Sequence, residues 1–266
     1  MTLKSPTTTA GLAVGRNTKP VSSDRYASQD GQSPRMRPLM RRYEIAHLTP
    51  LSQVEEISCL APASATFEDC FAALGRGAIV HTDSGPRAVE DLWPGDRVLT
   101  ASHGMQTLQW RGMVQIVPDS QSARREMGTM TRLTADALGW SRPTSDLVLG
   151  PSARLAHRAP GTSRLTGDDV AFVPVRDFID QSQIIELTPV APVHAYQLGF
   201  ANHCSLMVNG VELESLHPGL PHRLNMPNSM ATLLMSLFPH KVTLTDFGPL
   251  LHPRIALRDL DLFAVA

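Results

Sequence analysis

The stretch Gly77–Thr100, GAIVHTDSGPRAVEDLWPGDRVLT, constrains this chain more than any other. Ala78-Ile79-Val80-His81-Thr82 is a short run of strand formers. Asp83-Ser84-Gly85-Pro86 interrupts it, because glycine reaches positive φ without penalty and proline fixes φ just after it. Arg87 to Leu92 alternates polar and apolar, as a half-buried segment does. Trp93-Pro94-Gly95-Asp96 is a second turn, and Arg97–Thr100 a second strand.

The same texture runs from Phe67 to Leu216. Met105–Val117 reads as strand, Arg-Gly turn, strand. Arg132–Ala137 alternates briefly. Asp146–His157 reads as two strands around a kink at Gly150-Pro151. Val170–Ile179 opens as a strand, and Ile184–Val190, His194–Phe200 and His203–Val208 are three more. Asn209-Gly210, between Leu206-Met207-Val208 and Val211-Glu212-Leu213, suits the two positive-φ positions of a type I′ hairpin turn.

The flanks differ. Residues 1–42 carry eight basic and two acidic side chains, a balance of +6, which leaves −7 on the rest of a chain of net charge −1. Residues 1–66 are expected to be a basic N-terminal arm, disordered or partly helical. Ser, Thr, Pro and Arg dominate its start. The near-threefold spacing of Ile45, Leu48, Leu51, Val54, Ile57 and Leu60 predicts a helical turn or two. The arm is either a solvated tail or a contact for phosphates or an acidic partner. Residues 218–266 are expected to be a helical extension packed on the β-domain. Pro227-Asn228-Ser229 caps a helix with Met230, Leu233, Leu234 and Leu237 on one face, and Leu250–Phe263 offers a second.

The opening frame, with V-E-D-L-x-x-G-D-x-V-L-T at its end, resembles the start of a Hint (hedgehog/intein) domain in its bacterial stand-alone form. LTADALGWSRPTSDLVLGPSARL resembles the central block of that family, and VHAYQLGFANHCSLMVNGVELESL its closing block. The resemblance implies an all-β fold over residues 67–217, a flattened horseshoe with pseudo-twofold symmetry. It also implies a chemistry. Active Hint domains cut or rearrange their own backbone through a Cys or Ser that attacks the preceding peptide carbonyl. A central-block His serves as proton donor, beside a Thr or Ser hydroxyl.

Here the family spacing places the nucleophile at Ala73, the hydroxyl at Gly150 and the His at Ala153. The candidates left are Cys70, in a Cys-Phe dipeptide three residues early, His157 and His203. His157 lies over about 10 Å from position 153 along a strand, and the chain has no closing His-Asn pair. Two readings follow. Either self-processing is lost or impaired and the domain is a binding or scaffold module, or Cys70 makes an N–S acyl shift that releases the arm.

Other chemistry is poorly represented. His194, His203 and Cys204, with Cys70 or His81, lack the paired spacing of a zinc site, so no metal or cofactor is expected. Glu90, Asp91 and Asp96 belong to turns in the family frame. No nucleic-acid motif and no membrane-length apolar run occurs, while a protein partner and the oligomeric state stay open. Three cysteines, Cys59, Cys70 and Cys204, suit a reducing compartment. The default location is therefore cytoplasmic, with signal-less export as the alternative.

Overall fold

In the structure, a computed structural model describing residues 39–118, 124–224 and 226–261, the chain opens with a β-hairpin. Its strands are β1 (Met40–Leu48) and β2 (Val54–Pro62), turned at Ser52 with φ 57°. This corrects the helical expectation for residues 44–66. Arg41, Tyr43, Ile45 and His47 are buried while Arg42 and Glu44 are exposed, a period of two rather than three. The period is hidden in the sequence because two of the inward positions carry Arg and His. Arg41 is inward because Glu68 and the Gln115 carbonyl accept its hydrogen bonds. Residues 1–38 of the expected arm lie outside the described residues. Tyr43, Ile45 and Ala61 of this hairpin join the same buried core as Phe71 and Trp110.

A short helix, α1 (Ala65–Glu68), leads into β3 (Leu74–Gly75). The opening frame gives β4 (Ile79–Thr82), β5 (Gly85–Ala88), a 3-10 turn at Val89–Asp91, and β6 (Arg97–Thr100). Next come β7 (Gly104–Thr107), β8 (Trp110–Ile116), β9 (Met130–Leu133), β10 (Leu147–Leu149) and β11 (Arg154–His157). The remaining elements are α2 (Thr162–Thr166), β12 (Ala171–Pro174), β13 (Ile184–Leu187), β14 (Val193–Gly199), β15 (Ser205–Val208), β16 (Val211–Glu214), α3 (Asn228–Met235) and α4 (Leu257–Asp261).

The Arg111-Gly112 turn is a second correction, because both residues lie inside β8. A Cβ at Gly112 would fall into the Trp110 and Phe71 rings, so this glycine serves packing rather than turning. The Asn209-Gly210 hairpin forms as expected, with φ of 46° and 80°. Of the second C-terminal helix, only Leu257–Asp261 is helical, since Pro253 precedes it. Residues 262–266 lie outside the described residues.

The fold is all-β, two antiparallel sheets that do not close. One runs β13-β9-β10-β3-β14-β8-β1-β2. The other runs β12-β11-β16-β15-β4-β6-β7, with β5 on β4. Low aromatic content makes one core mostly aliphatic, from Leu74 and Val80 to Leu213, with Tyr196 and Phe200 among its members. The few rings gather in a second core, where Phe71 meets Tyr43, Trp110 and Phe238 at centroid distances of 4.7, 5.1 and 6.4 Å. The C-terminal extension seals that core with Leu234, Leu237, Phe238 and Phe247. Among the described residues, no helix is long and apolar enough to cross a membrane.

Candidate functional site

The acidic residues of the opening frame are spent on the backbone. Glu90 accepts the Gly77 N–H at 2.9 Å and faces Arg76. Asp96 accepts the Trp93 N–H at 2.8 Å and pairs with Arg87. Arg111 donates to the Glu90 and Leu92 carbonyls and stacks over Trp93. These contacts hold the turns, so the frame positions the strand entering at β3.

That entry is the centre of the molecule. β3 lies between β10 and β14, with Leu74 opposite Leu149 and Tyr196. The pairing continues one step upstream. Ala73 N–H donates to the Tyr196 carbonyl at 3.2 Å. Gly150 N–H donates to the Ala73 carbonyl at 2.7 Å, and Ser152 N–H to the Ala72 carbonyl at 2.9 Å. The Ala72–Ala73 peptide is thus clamped from both sides by backbone. Gly150 is required there, since a Cβ would collide with the Ala72 carbonyl.

The side chains around the clamp are chemically inert. Ala72, Ala73 and Ala153 are buried methyl groups and Gly150 has no side chain. A methyl group neither attacks a carbonyl nor delivers a proton. Ser152 supplies the loop's hydroxyl. Its Oγ is buried and has no hydrogen-bond partner among the described residues, so nothing here activates it.

Cys70 lies upstream, in the ring-lined core. Its Sγ donates to the Thr66 carbonyl at 3.4 Å. Burial, with Asp69 adding to it, pushes the thiol up to about 12. The nucleophile is the thiolate, so this cysteine is held in its unreactive form. His157 sits elsewhere, on β11, edge-on to Phe178 at 5.2 Å, with its proton affinity lowered by burial. His203 Nδ1 accepts the Leu251 N–H at 2.9 Å. Among the described residues, neither histidine hydrogen-bonds to Cys70, so the three candidates are not brought together.

His203 belongs instead to a buried charge cluster that sequence reasoning missed. Its Nε2 lies 3.3 Å from Glu214 Oε1. Arg254 Nε donates to the same oxygen at 2.7 Å, and Arg154 reaches the other at 3.5 Å. Burial alone would raise the Glu214 carboxyl, but Arg254, His203 and Arg154 overcome it and hold it well below the usual carboxylate range. His217, 4.9 Å from His203 between ring centres, is depressed to about 4, first by burial and then by His203. Its Nε2 donates to the Gly248 carbonyl and its Nδ1 accepts the Gly219 N–H. Arg154 also approaches Asp69, which Arg124 binds at 2.5 Å. The available signal was Glu212 and Glu214, charged residues spaced by two in an otherwise apolar strand. The metal candidates do not converge. Among the described residues, no three His, Cys, Asp or Glu side chains are grouped to hold an ion.

The curated proteins contain no match to the chain. Three solved structures are similar over about half of it. A bacterial intein-like domain from Clostridium thermocellum is 13% identical, covering 54% of this chain and 98% of that one, with a TM-score of 0.38. A splice-inactive variant of the AceL NrdHF class 3 split intein is 11% identical, covering 55% and 98%, at 0.37. The gp41-1 intein is 11% identical, covering 54% and 98%, at 0.33. The model of the Hint domain family matches residues 70–220, more than half of the chain. On that match, this chain belongs to the Hint domain family.

Proposed function

We propose that this protein is a Hint domain that does not process itself and serves as a scaffold or binding module. One observation carries the reading. The peptide gripped by the central loop, Ala72–Ala73, has methyl groups or hydrogen where Hint chemistry needs a nucleophile and a proton donor. The backbone contacts on this peptide, with no nucleophilic or proton-donating side chain beside it, support a domain that does not cut itself there.

The upstream chain supports the same reading. Self-cleavage at position 70 or 73 would cut off β1, β2 and α1. Those elements supply Tyr43, Ile45 and Phe67 to the ring-lined core, and β1 is paired with β8 along five residues. Burying each large side chain stabilises by about 1.5–3 kcal/mol. A cut would therefore leave the upstream piece bound, not released.

The test is interception of an acyl shift. The purified chain is incubated with hydroxylamine at neutral pH, which cleaves a thioester at the moment it forms. The expected result is an unchanged mass. A fragment ending at Asp69 that disappears in Cys70→Ala overturns the reading in favour of an active N–S acyl shift.

A further inference from the structure

β2 is the outermost strand of its sheet, and no described residue bonds to its outer edge. Among the described residues it pairs with β1 alone. The other sheet-terminal strands, β13, β12 and β7, have four residues each, whereas β2 has nine. The β12 edge is also covered, because Phe172 bonds with Pro253 and Ile255. Short or covered edges are how proteins block strand addition. β2 carries neither device, and its first proline is its last residue.

The phase of the hydrogen bonds fixes which groups are free. The hairpin is bracketed by Thr49 N–H to the Gln53 carbonyl and Ala63 N–H to the Leu39 carbonyl. With the register Ile45 to Ile57 and Tyr43 to Cys59, the odd-numbered residues of β2 bond to β1. The N–H and C=O groups of Val54, Glu56, Ser58 and Leu60 therefore point to the open edge, by the alternation of an antiparallel ladder. Val54 and Leu60 are 42% and 61% exposed there.

We propose that β2 pairs antiparallel with β2 of a second copy, about a two-fold axis at Ile57. Hydrogen-bond phase requires even residues to face even residues, which leaves few registers. An axis at Glu55 or Glu56 sets a glutamate against its own copy, and like charges directly opposite are destabilising. An axis at Ser58 sets Val54 against Pro62, which has no N–H. The axis at Ile57 sets Val54 against Leu60, Glu56 against Ser58, Glu55 against Cys59 and Ile57 against itself. Four facing pairs with two bonds each give about eight new hydrogen bonds. Apolar meets apolar at the ends, and no like charges oppose. The contact is isologous and closes on itself, joining the two eight-stranded sheets into one.

Light scattering on the full chain across a concentration series tests this. The expected species at high concentration has twice the 29.0 kDa chain mass. Ser58→Glu places glutamate against Glu56 twice and weakens the dimer about tenfold. Adding Glu56→Lys to that variant restores it. Ser58→Pro removes an outward N–H without touching the ladder to β1 and gives monomer with an unchanged urea midpoint. A wild-type monomer at every concentration overturns the proposal. So does a dimer indifferent to Ser58→Glu and Ser58→Pro.

Discussion

Two buried centres of this molecule are held by different means. The clamp on Ala72–Ala73 is made of backbone hydrogen bonds among buried methyl groups. The Glu214 cluster has histidines, arginines and carboxylates in contact, and it tethers the C-terminal extension through Arg254 and Leu251. Buried polar chemistry is concentrated where it fastens one segment to another, while backbone pairing alone holds the central peptide in its sheet.

Removing charge from the second centre should have the largest effect. Glu214→Gln leaves Arg254 and Arg154 without their shared counter-charge, and urea unfolding should show a loss of about 3 kcal/mol. At the clamp the sensitive feature is space, not charge. Gly150→Ala drives a Cβ into the Ala72 carbonyl and should cost about 2–3 kcal/mol in the same assay. A negligible cost there would mean that the loop and the peptide are not in contact.

The third effect is a pH dependence. His217 is depressed from about 6.5 in an unfolded chain to about 4 in the fold. Between those values the unfolded state binds the extra proton, so stability falls as pH drops through that window. His217 should account for about 2 kcal/mol of the stability lost between pH 7 and pH 5; buried His240, lowered to about 3, acts across the same window, so His217→Gln should lessen the slope and leave His240's share. Glu214 is shifted in the same direction. Its contribution is complete above the ordinary carboxylate range and is withdrawn progressively as pH falls from there through its lowered folded value. The smallest effect belongs to Cys70. Cys70→Ala should cost about 1 kcal/mol, the loss of one buried sulfur. A disulfide reagent should label half-exposed Cys59 quickly, and Cys70 and Cys204 only as the chain unfolds.

Local turn chemistry explains what the sequence made legible. Asn209-Gly210, Gly150-Pro151 and the two turns of the opening frame depend on adjacent residues, and each stands where expected. The family resemblance pointed to Ala73, Gly150 and Ala153, and backbone bonds run from Gly150 to Ala73 and from Ala153 to Gly150. Gly112 was misleading because the rings that require it come from Trp110 and from Phe71, distant in the chain. The first hairpin was hidden because Arg41 and His47 occupy inward positions that partners such as Glu68 make tolerable. The Glu214–Arg254 pair was invisible for the same reason, since its members stand 40 residues apart and only the fold joins them.

The most direct measurement is the intact mass of the full chain, followed for days at neutral pH with and without dithiothreitol. A self-processing domain given a thiol would be cut at its upstream junction, and the mass of the denatured sample reports the cut even where the pieces stay together. The account predicts one species that stays at 29.0 kDa in both conditions. Accumulation of a fragment beginning at Cys70 or Ala73, faster with the thiol, would contradict it.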